Sequence, residues 1–192
     1  MEAVLEIECD MPQKFDVQSV EERARVVFVD RYPTPRKQMH STFQVSGPEP
    51  QASMSRGVQA LQFLQLDEKQ LVQVRAEGFA FNRLAPYSTM DDYLGEIRRT
   101  FSAFVDLTSP LQLRRIKLRY IAPTGTLVNV IMASQALAGD FLPVVLDIET
   151  QADQAGEPKD WALVAARIQD LRSLAKRVFT RTISARCLQL FL

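Results

Sequence analysis

The chain has 192 residues, of which 46% are hydrophobic and 24% charged, and this composition is typical of a globular protein of about one domain. Lys and Arg number 23, as do Asp and Glu, so the net charge is zero and no global field would attract a nucleic acid or an anionic membrane. The N-terminus lacks a basic segment followed by a long apolar run, and the weakly polar stretch 127–146 is interrupted by Asn129, Asp140 and Pro143. We therefore expect no secretory signal, no membrane span and a cytoplasmic location.

The first predicted elements are a strand and a helix. Residues 3–9 alternate in polarity, as expected of a half-buried strand whose apolar face carries Leu5, Ile7 and Cys9. Asp16 is a suitable N-cap for a helix that ends before the two prolines of segment 32–35. The apolar stripe of this helix is predicted to comprise Val20, Ala24, Val27, Phe28 and the aliphatic part of Arg31.

Strands are predicted for the next part of the chain. A short strand covers residues 40–45, and the segment 47–56 is predicted to be a loop because it has two prolines, two serines and no apolar period. Residues 60–66 and 71–82 are predicted to be two antiparallel strands, joined by a polar connection at residues 67–70.

The region 88–123 combines a helix with a basic strand. Ser88 or Thr89 precedes an acidic first turn, and apolar side chains then recur at three-and-four spacing from Met90 to Phe104. Residues 111–121 are predicted to be a strand. Its apolar face carries Ile116, Leu118 and Tyr120, and its polar face carries Arg115, Lys117 and Arg119.

The last predicted elements are a strand at residues 142–149, a polar loop at 150–158 and a long helix from near Lys159 with cations at its C-terminal end. Residues 1–192 are predicted to form a single α+β domain, in which 124–141 is a shortened irregular or helical insert. The predicted architecture is a twisted, mainly antiparallel sheet of about five to seven strands with helices packed on one face. The element order is that of helix-grip or TATA-binding-protein-like topologies.

Three segments carry a resemblance to a known family. They are Val4-Leu5-Glu6-Ile7, then Phe81-Asn82-Arg83-Leu84-Ala85-Pro86-Tyr87, and finally Arg115-Ile116-Lys117-Leu118-Arg119-Tyr120-Ile121. They resemble the N-terminal strand, the aromatic-Asn-Arg segment with its Tyr-containing loop, and the Arg-x-x-Leu-Arg-Tyr strand of a sporadically distributed prokaryotic family of uncharacterised proteins. The resemblance implies a fold and a patchy occurrence like that of accessory or defence-linked genes, and it implies no activity.

The chain departs from that family in two places. Ala122 stands where the family usually has Asn. The region between Ile121 and Leu142 is much shorter than in a typical member, which implies that a block of strands is missing or is replaced by a short helix around residues 128–138.

The basic face formed by Arg115, Lys117 and Arg119 is the main candidate for a binding surface. Cations two residues apart on a strand lie about 7 Å apart and could follow phosphates. The alternative is a solvent-exposed charge ladder, because acidic residues are predicted on the polar faces of other strands. These residues are Glu6, Glu8, Glu77, Asp147 and Glu149. We favour the ladder, since the nearby aromatic residues fall at apolar positions and would not be available for base stacking.

The remaining candidates have structural alternatives. Asn82, Arg83 and Tyr87 either satisfy backbone groups at a strand-to-helix junction or line a pocket. His40 is the only histidine, which excludes a multi-histidine metal site. The acidic pairs 91–92 and 147/149 are interpreted as structural, and both cysteines, Cys9 and Cys187, as buried thiols. No cofactor or metal ion is predicted.

The leading functional hypothesis is a non-enzymatic protein-binding or accessory module in a prokaryotic defence or toxin-neutralising system, which acts through the charged sheet face or the last helix. The alternative is a small-ligand-binding or enzyme domain with a cavity around Asn82, Arg83, Tyr87 and Arg119. A second alternative is a nucleic-acid-binding accessory protein. Enzymatic activity and oligomeric state stay open at this point, and no membrane partner is expected.

Overall fold

A computed structural model describes residues 2–46, 51–84, 88–123 and 145–182. These residues form seven strands, three α-helices and a short 3-10 helix. The strands are β1 (Glu2–Asp10), β2 (Thr34–Ser46), β3 (Gln51–Leu64), β4 (Gln70–Arg75), β5 (Gly78–Arg83), β6 (Gln112–Pro123) and β7 (Val145–Gly156). The helices are the 3-10 helix (Val17–Val20), α1 (Glu21–Phe28), α2 (Met90–Thr108) and α3 (Trp161–Thr182).

All seven strands join one antiparallel sheet in the order β2-β3-β4-β5-β1-β6-β7. Helix α1 packs against β3, α2 against β5, and α3 against β6 and β7, so the helices cover a single face of the sheet. The predicted α+β class, with an antiparallel sheet and helices on one face, is therefore confirmed. The helix-grip order is consistent with this arrangement.

The core lies between the sheet and the helices because the strands alternate in polarity. In β1, Leu5 and Ile7 are buried on the helix side, as predicted. Aromatic rings fill the layer between β5 and α2, where the ring centroid of Phe79 lies 5.5 Å from that of Phe101 and 5.8 Å from that of Phe104. Cys9 belongs to the same cluster, which confirms the buried thiol for this residue, whereas Cys187 lies outside the described residues.

Asp16 caps a helix as predicted, although the capped segment is the 3-10 helix that leads into α1. Its side-chain Oδ1 accepts a hydrogen bond of 2.9 Å from the Gln18 N–H. The predicted stripe of α1 is wrong at Val27, which is 39% exposed. Helix α1 has only eight residues, and its i, i+4 positions Ala24 and Phe28 are already buried in the core, so Val27 lies on the flank.

Strands β2 and β3 are longer than predicted. Their pairing continues from Met39–Val58 to Ser46–Gln51, beyond the point where β4 stops pairing with β3. The loop predicted for residues 47–56 is therefore wrong for 51–56, which belong to β3, and residues 47–50 lie outside the described part. Backbone pairing within this two-stranded ribbon requires no apolar period, so the pattern did not indicate it.

Residues 71–82, predicted to be one strand, form two strands that turn at Ala76 and Glu77. Gly78 opens β5 with φ +142°, and a Cβ placed there would lie 2.1 Å from the Ile7 carbonyl oxygen of β1. The hairpin thus depends on a residue without a side chain at this point.

The polar segment 150–156, predicted to be a loop, continues β7 and pairs with β6 as far as Gly156. This strand is at one end of the described sheet. Its polar residues fall on both faces, with Gln151 and Asp153 exposed and Thr150 and Gln154 buried, so the segment shows no apolar alternation and resembled a loop. The predicted insert at 124–141, with its helix around 128–138, lies outside the described residues, as do residues 142–144 of the last predicted strand.

Candidate functional site

The cations Arg115, Lys117 and Arg119 lie on the sheet face turned away from the helices. Ile116 and Leu118, which alternate with them, are fully buried on the helix side. The predicted orientation of β6 is therefore correct.

Acidic residues of the two neighbouring strands neutralise the basic face of β6. Lys117 Nζ lies 2.6 Å from Glu8 Oε1 and 4.0 Å from Glu6 Oε2, both on β1. On the other side, Arg115 Nε donates a hydrogen bond of 2.7 Å to Asp153 Oδ1 of β7. An acidic strand thus borders the basic strand on each side.

A β-bulge adds a further cation to this face. Leu113 and Ile116 are both buried although they are three residues apart, and the register shifts between them. Arg114 is exposed, and its Nη2 lies 3.2 Å from Glu8 Oε2. Burial raises the pKa of Glu8, but the hydrogen bonds and charges of Lys117 and Arg114 outweigh burial and hold this pKa below its usual value.

Small residues on β5 allow an ion pair to form across it. Arg75 on β4 reaches Glu6 on β1, with its Nη1 2.6 Å from Glu6 Oε1, although β5 lies between the two strands. Gly78 and Ala80 are the β5 residues that lie between Arg75 and Glu6 on this face, and Ala80 is only 1% exposed. The Arg75 side chain lies over them, and so the charged network spans five adjacent strands, β4-β5-β1-β6-β7, with its charged residues on four of them.

We call this network the charge ladder. It comprises Glu6, Glu8, Arg75, Arg114, Arg115, Lys117 and Asp153. The sequence pattern predicted opposite charges on neighbouring strands. It missed Asp153 because β7 was predicted to end at residue 149. Of the predicted acidic partners on β7, Glu149 lies in register with Arg119.

The aromatic-Asn-Arg segment is divided between the two faces of the sheet. Asn82 lies on the ladder side, where its Oδ1 accepts a hydrogen bond of 3.2 Å from Gln73 Nε2. Arg83 points to the helix side and packs against α2, and Tyr87 lies outside the described residues. The sheet therefore separates Arg83 from Asn82 and Arg119, which the sequence analysis had placed around one cavity.

A buried polar cluster, which the sequence analysis missed, closes the helix side of the sheet near the start of α2. Gln70 Nε2 donates a hydrogen bond of 2.5 Å to the Tyr32 hydroxyl, which donates one of 2.9 Å to Glu96 Oε1. Glu96 also accepts hydrogen bonds from Arg99 and Arg31. Tyr32 is 1% exposed and Gln70 is 4% exposed, so both depend on these bonds.

The cluster shifts the acidity of two of its members. Burial raises the pKa of the Tyr32 hydroxyl, and the negative charge of Glu96 raises it further. Burial also raises the pKa of Glu96, but hydrogen bonds from Arg99 and Tyr32 and the charges of Arg99 and Arg31 bring it below its usual value. The i, i+3 spacing of Glu96 and Arg99 was the only feature of the sequence that indicated this polar cluster. Their contacts with Tyr32 and Gln70 depend on tertiary structure.

A separate cleft of about 370 Å³ opens between the end of α2 and the turn that precedes α3. Its lining includes Val105, Asp106, Ser109, Leu111, Glu157 and Lys159. None of the predicted site residues lines it.

The other candidates from the sequence have structural surroundings. His40 is exposed on β2. Asp91 Oδ2 lies 2.5 Å from Arg172 Nη1, an ion pair that joins α2 to α3. Within the described segments, no group of three or more His, Cys, Asp or Glu side chains is arranged to hold a metal ion.

Comparison of the chain with models of protein families, with curated proteins and with solved structures gave no match. Among the described helices, none has the length and apolar character needed to cross a membrane.

Proposed function

We propose that this chain is a non-enzymatic protein-binding module whose charge ladder recognises a protein partner. The observation that carries the proposal is a broad sheet face, uncovered by the described helices, on which ion pairs hold charges of both signs in a fixed pattern. The finer hypothesis of an accessory subunit in a prokaryotic defence or toxin-neutralising system rests only on the family resemblance.

The ladder suits recognition because its side chains are ordered before a partner arrives. Long charged side chains lose about 0.5–1.5 kcal/mol each when an interface immobilises them. The side chains of Lys117 and Glu8 are only 23% and 14% exposed and are 2.6 Å apart, so much of this ordering is already complete. Charged groups fixed on strands contribute mainly to specificity and to the rate of association.

The same pattern disfavours a nucleic acid as the partner. Phosphate tracking requires uncompensated positive charge along a groove, whereas Lys117, Arg114 and Arg115 each have a carboxylate within 3.2 Å. The protein-binding proposal also has better support than a ligand cavity built jointly from Asn82, Arg83 and Arg119, because these residues lie on two faces of the sheet.

An exchange of charges within one ion pair tests the proposal. The double substitution Arg115→Asp with Asp153→Arg keeps the net charge and an ion pair but inverts the local charge pattern. The matched control is Arg36→Glu with Glu68→Arg, which exchanges another exposed ion pair near β2, at the other edge of the sheet.

The assay is affinity capture from an extract of the source cells, followed by titration of the captured protein in purified form. We expect the wild type and the control to bind equally and the Arg115/Asp153 exchange to bind at least about 10-fold more weakly, with unchanged thermal unfolding. Equal binding by all three proteins would refute the proposal. Capture of nucleic acid alone, in a manner that weakens steeply with salt, would refute it as well.

A further inference from the structure

One arginine on the helix side lacks the partners that other cations have. Within the described residues, the Arg83 guanidinium makes no ion pair with a carboxylate, and its buried Nε has no hydrogen-bond partner. By contrast, Arg75 in the same hairpin pairs with Glu6, and Arg99 on the adjacent helix pairs with Glu96. An unsatisfied buried N–H is unfavourable and is uncommon in folded proteins.

The carboxylates nearest in sequence on α2 are engaged elsewhere. Asp91 accepts hydrogen bonds from Arg172 and Gln169 of α3, and Asp92 accepts one of 2.6 Å from Ser88. Glu96 is bound within the polar cluster. None of these three carboxylates forms an ion pair with Arg83.

The position of the Arg83 guanidinium is nevertheless defined. Its Cζ lies 5.3 Å from the centroid of the Tyr93 ring, a cation–π contact that leaves the N–H groups free to donate in the guanidinium plane. Gln70 lies directly opposite Arg83 on β4.

We propose that Arg83, held against Tyr93 at the junction of β5 and α2, binds an oxyanion of a ligand, either a carboxylate or a phosphate group. The planar fork of a guanidinium matches two oxygens of either group and forms short charge-assisted hydrogen bonds with them. This site lies on the opposite face of the sheet from the charge ladder, and its function is independent of the partner-binding role.

Thermal unfolding of the full chain in sodium phosphate, sodium malonate and sodium chloride at equal ionic strength tests this proposal. The variants are Arg83→Met and, as the control with the same loss of charge, Arg98→Met on the exposed side of α2. At anion concentrations above Kd, we expect the Tm of the wild type and of Arg98→Met to rise in proportion to the logarithm of the phosphate or malonate concentration. Arg83→Met should lose this response, with an affinity at least about 10-fold lower.

A stronger response to phosphate would identify a phosphorylated ligand, and a stronger response to malonate a carboxylate ligand. In chloride alone, Arg83→Met should be at least as stable as the wild type, because it removes an unsatisfied buried N–H. No rise in Tm beyond that in chloride, or an equal response in Arg83→Met, would overturn the proposal.

A measurement on the unmutated protein covers the case in which Arg83→Met does not fold. In protein labelled with 15N-arginine, the Nε–H signal that shows a nuclear Overhauser effect to the Tyr93 ring should shift on titration with phosphate or malonate. An unchanged signal at saturating anion would overturn the proposal.

Discussion

Gly78→Ala should strongly destabilise the fold, because this position joins the β4–β5 hairpin to the central strand. An added Cβ would lie 2.1 Å from the Ile7 carbonyl oxygen, whereas real Cβ contacts are essentially never below 3.0 Å. Strands β1 and β5 would have to separate by about 1 Å to accommodate it. The separation would weaken the local pairing, including the 2.9 Å hydrogen bond from the Cys9 N–H to the Glu77 carbonyl.

The magnitude follows from three contributions. A side chain at φ +142° costs about 1–3 kcal/mol in strain. Two weakened backbone hydrogen bonds cost about 0.5–1.5 kcal/mol each. The lower entropy of the unfolded chain offsets about 0.4–1 kcal/mol of this. The expected loss in the free energy of unfolding is therefore about 3 kcal/mol.

Urea unfolding, followed by far-UV circular dichroism and by fluorescence of the single tryptophan, Trp161, would measure this loss. Gly95→Ala is the matched control, since its added Cβ meets nothing within 4 Å on the exposed side of α2. Alanine at this helix position should stabilise the protein by about 0.5–1 kcal/mol. A loss below about 1 kcal/mol for Gly78→Ala would show that β1 and β5 do not approach as described.

Three other outcomes are expected. Tyr32→Phe should lower the free energy of unfolding by about 1–3 kcal/mol, because Gln70 loses its buried hydrogen-bond partner. In a double-mutant cycle, adding Gln70→Leu should recover part of this loss, and no recovery would contradict an energetic coupling between Tyr32 and Gln70. The folded-state pKa of Glu96 lies below its usual value of 4.5. The ionised Glu96 carboxylate therefore stabilises the folded protein above about pH 4.5, and this stabilisation is lost as the pH falls below that value. Urea midpoints measured from about pH 7 to pH 3 should fall less steeply in Glu96→Gln than in the wild type. Burial raises the pKa of Cys9 to about 12, so iodoacetamide at about pH 8 should label this thiol only after unfolding. Mass spectrometry of the Cys9 peptide measures the labelling, and a labelled peptide from the native protein would contradict the burial of this thiol.

The sequence by itself determined the elements that bury a periodic apolar face. The alternation in β1 and β6 and the three-and-four spacing in α2 each encode burial directly, because one face of the element must leave water. These three elements define the buried layer and the outward direction of Arg115 and Lys117.

Only the tertiary structure decided which residues meet. The extension of β2, β3 and β7 depends on backbone pairing, which does not require a particular side-chain pattern. The Arg75–Glu6 pair joins residues 69 positions apart, and the Tyr32–Glu96 bond joins residues 64 positions apart. Likewise, Asn82 and Arg83 are adjacent in the chain but lie on opposite faces, because successive side chains of a strand alternate across the sheet. The charge ladder, the polar cluster and the unpaired guanidinium therefore depend on how the strands pair.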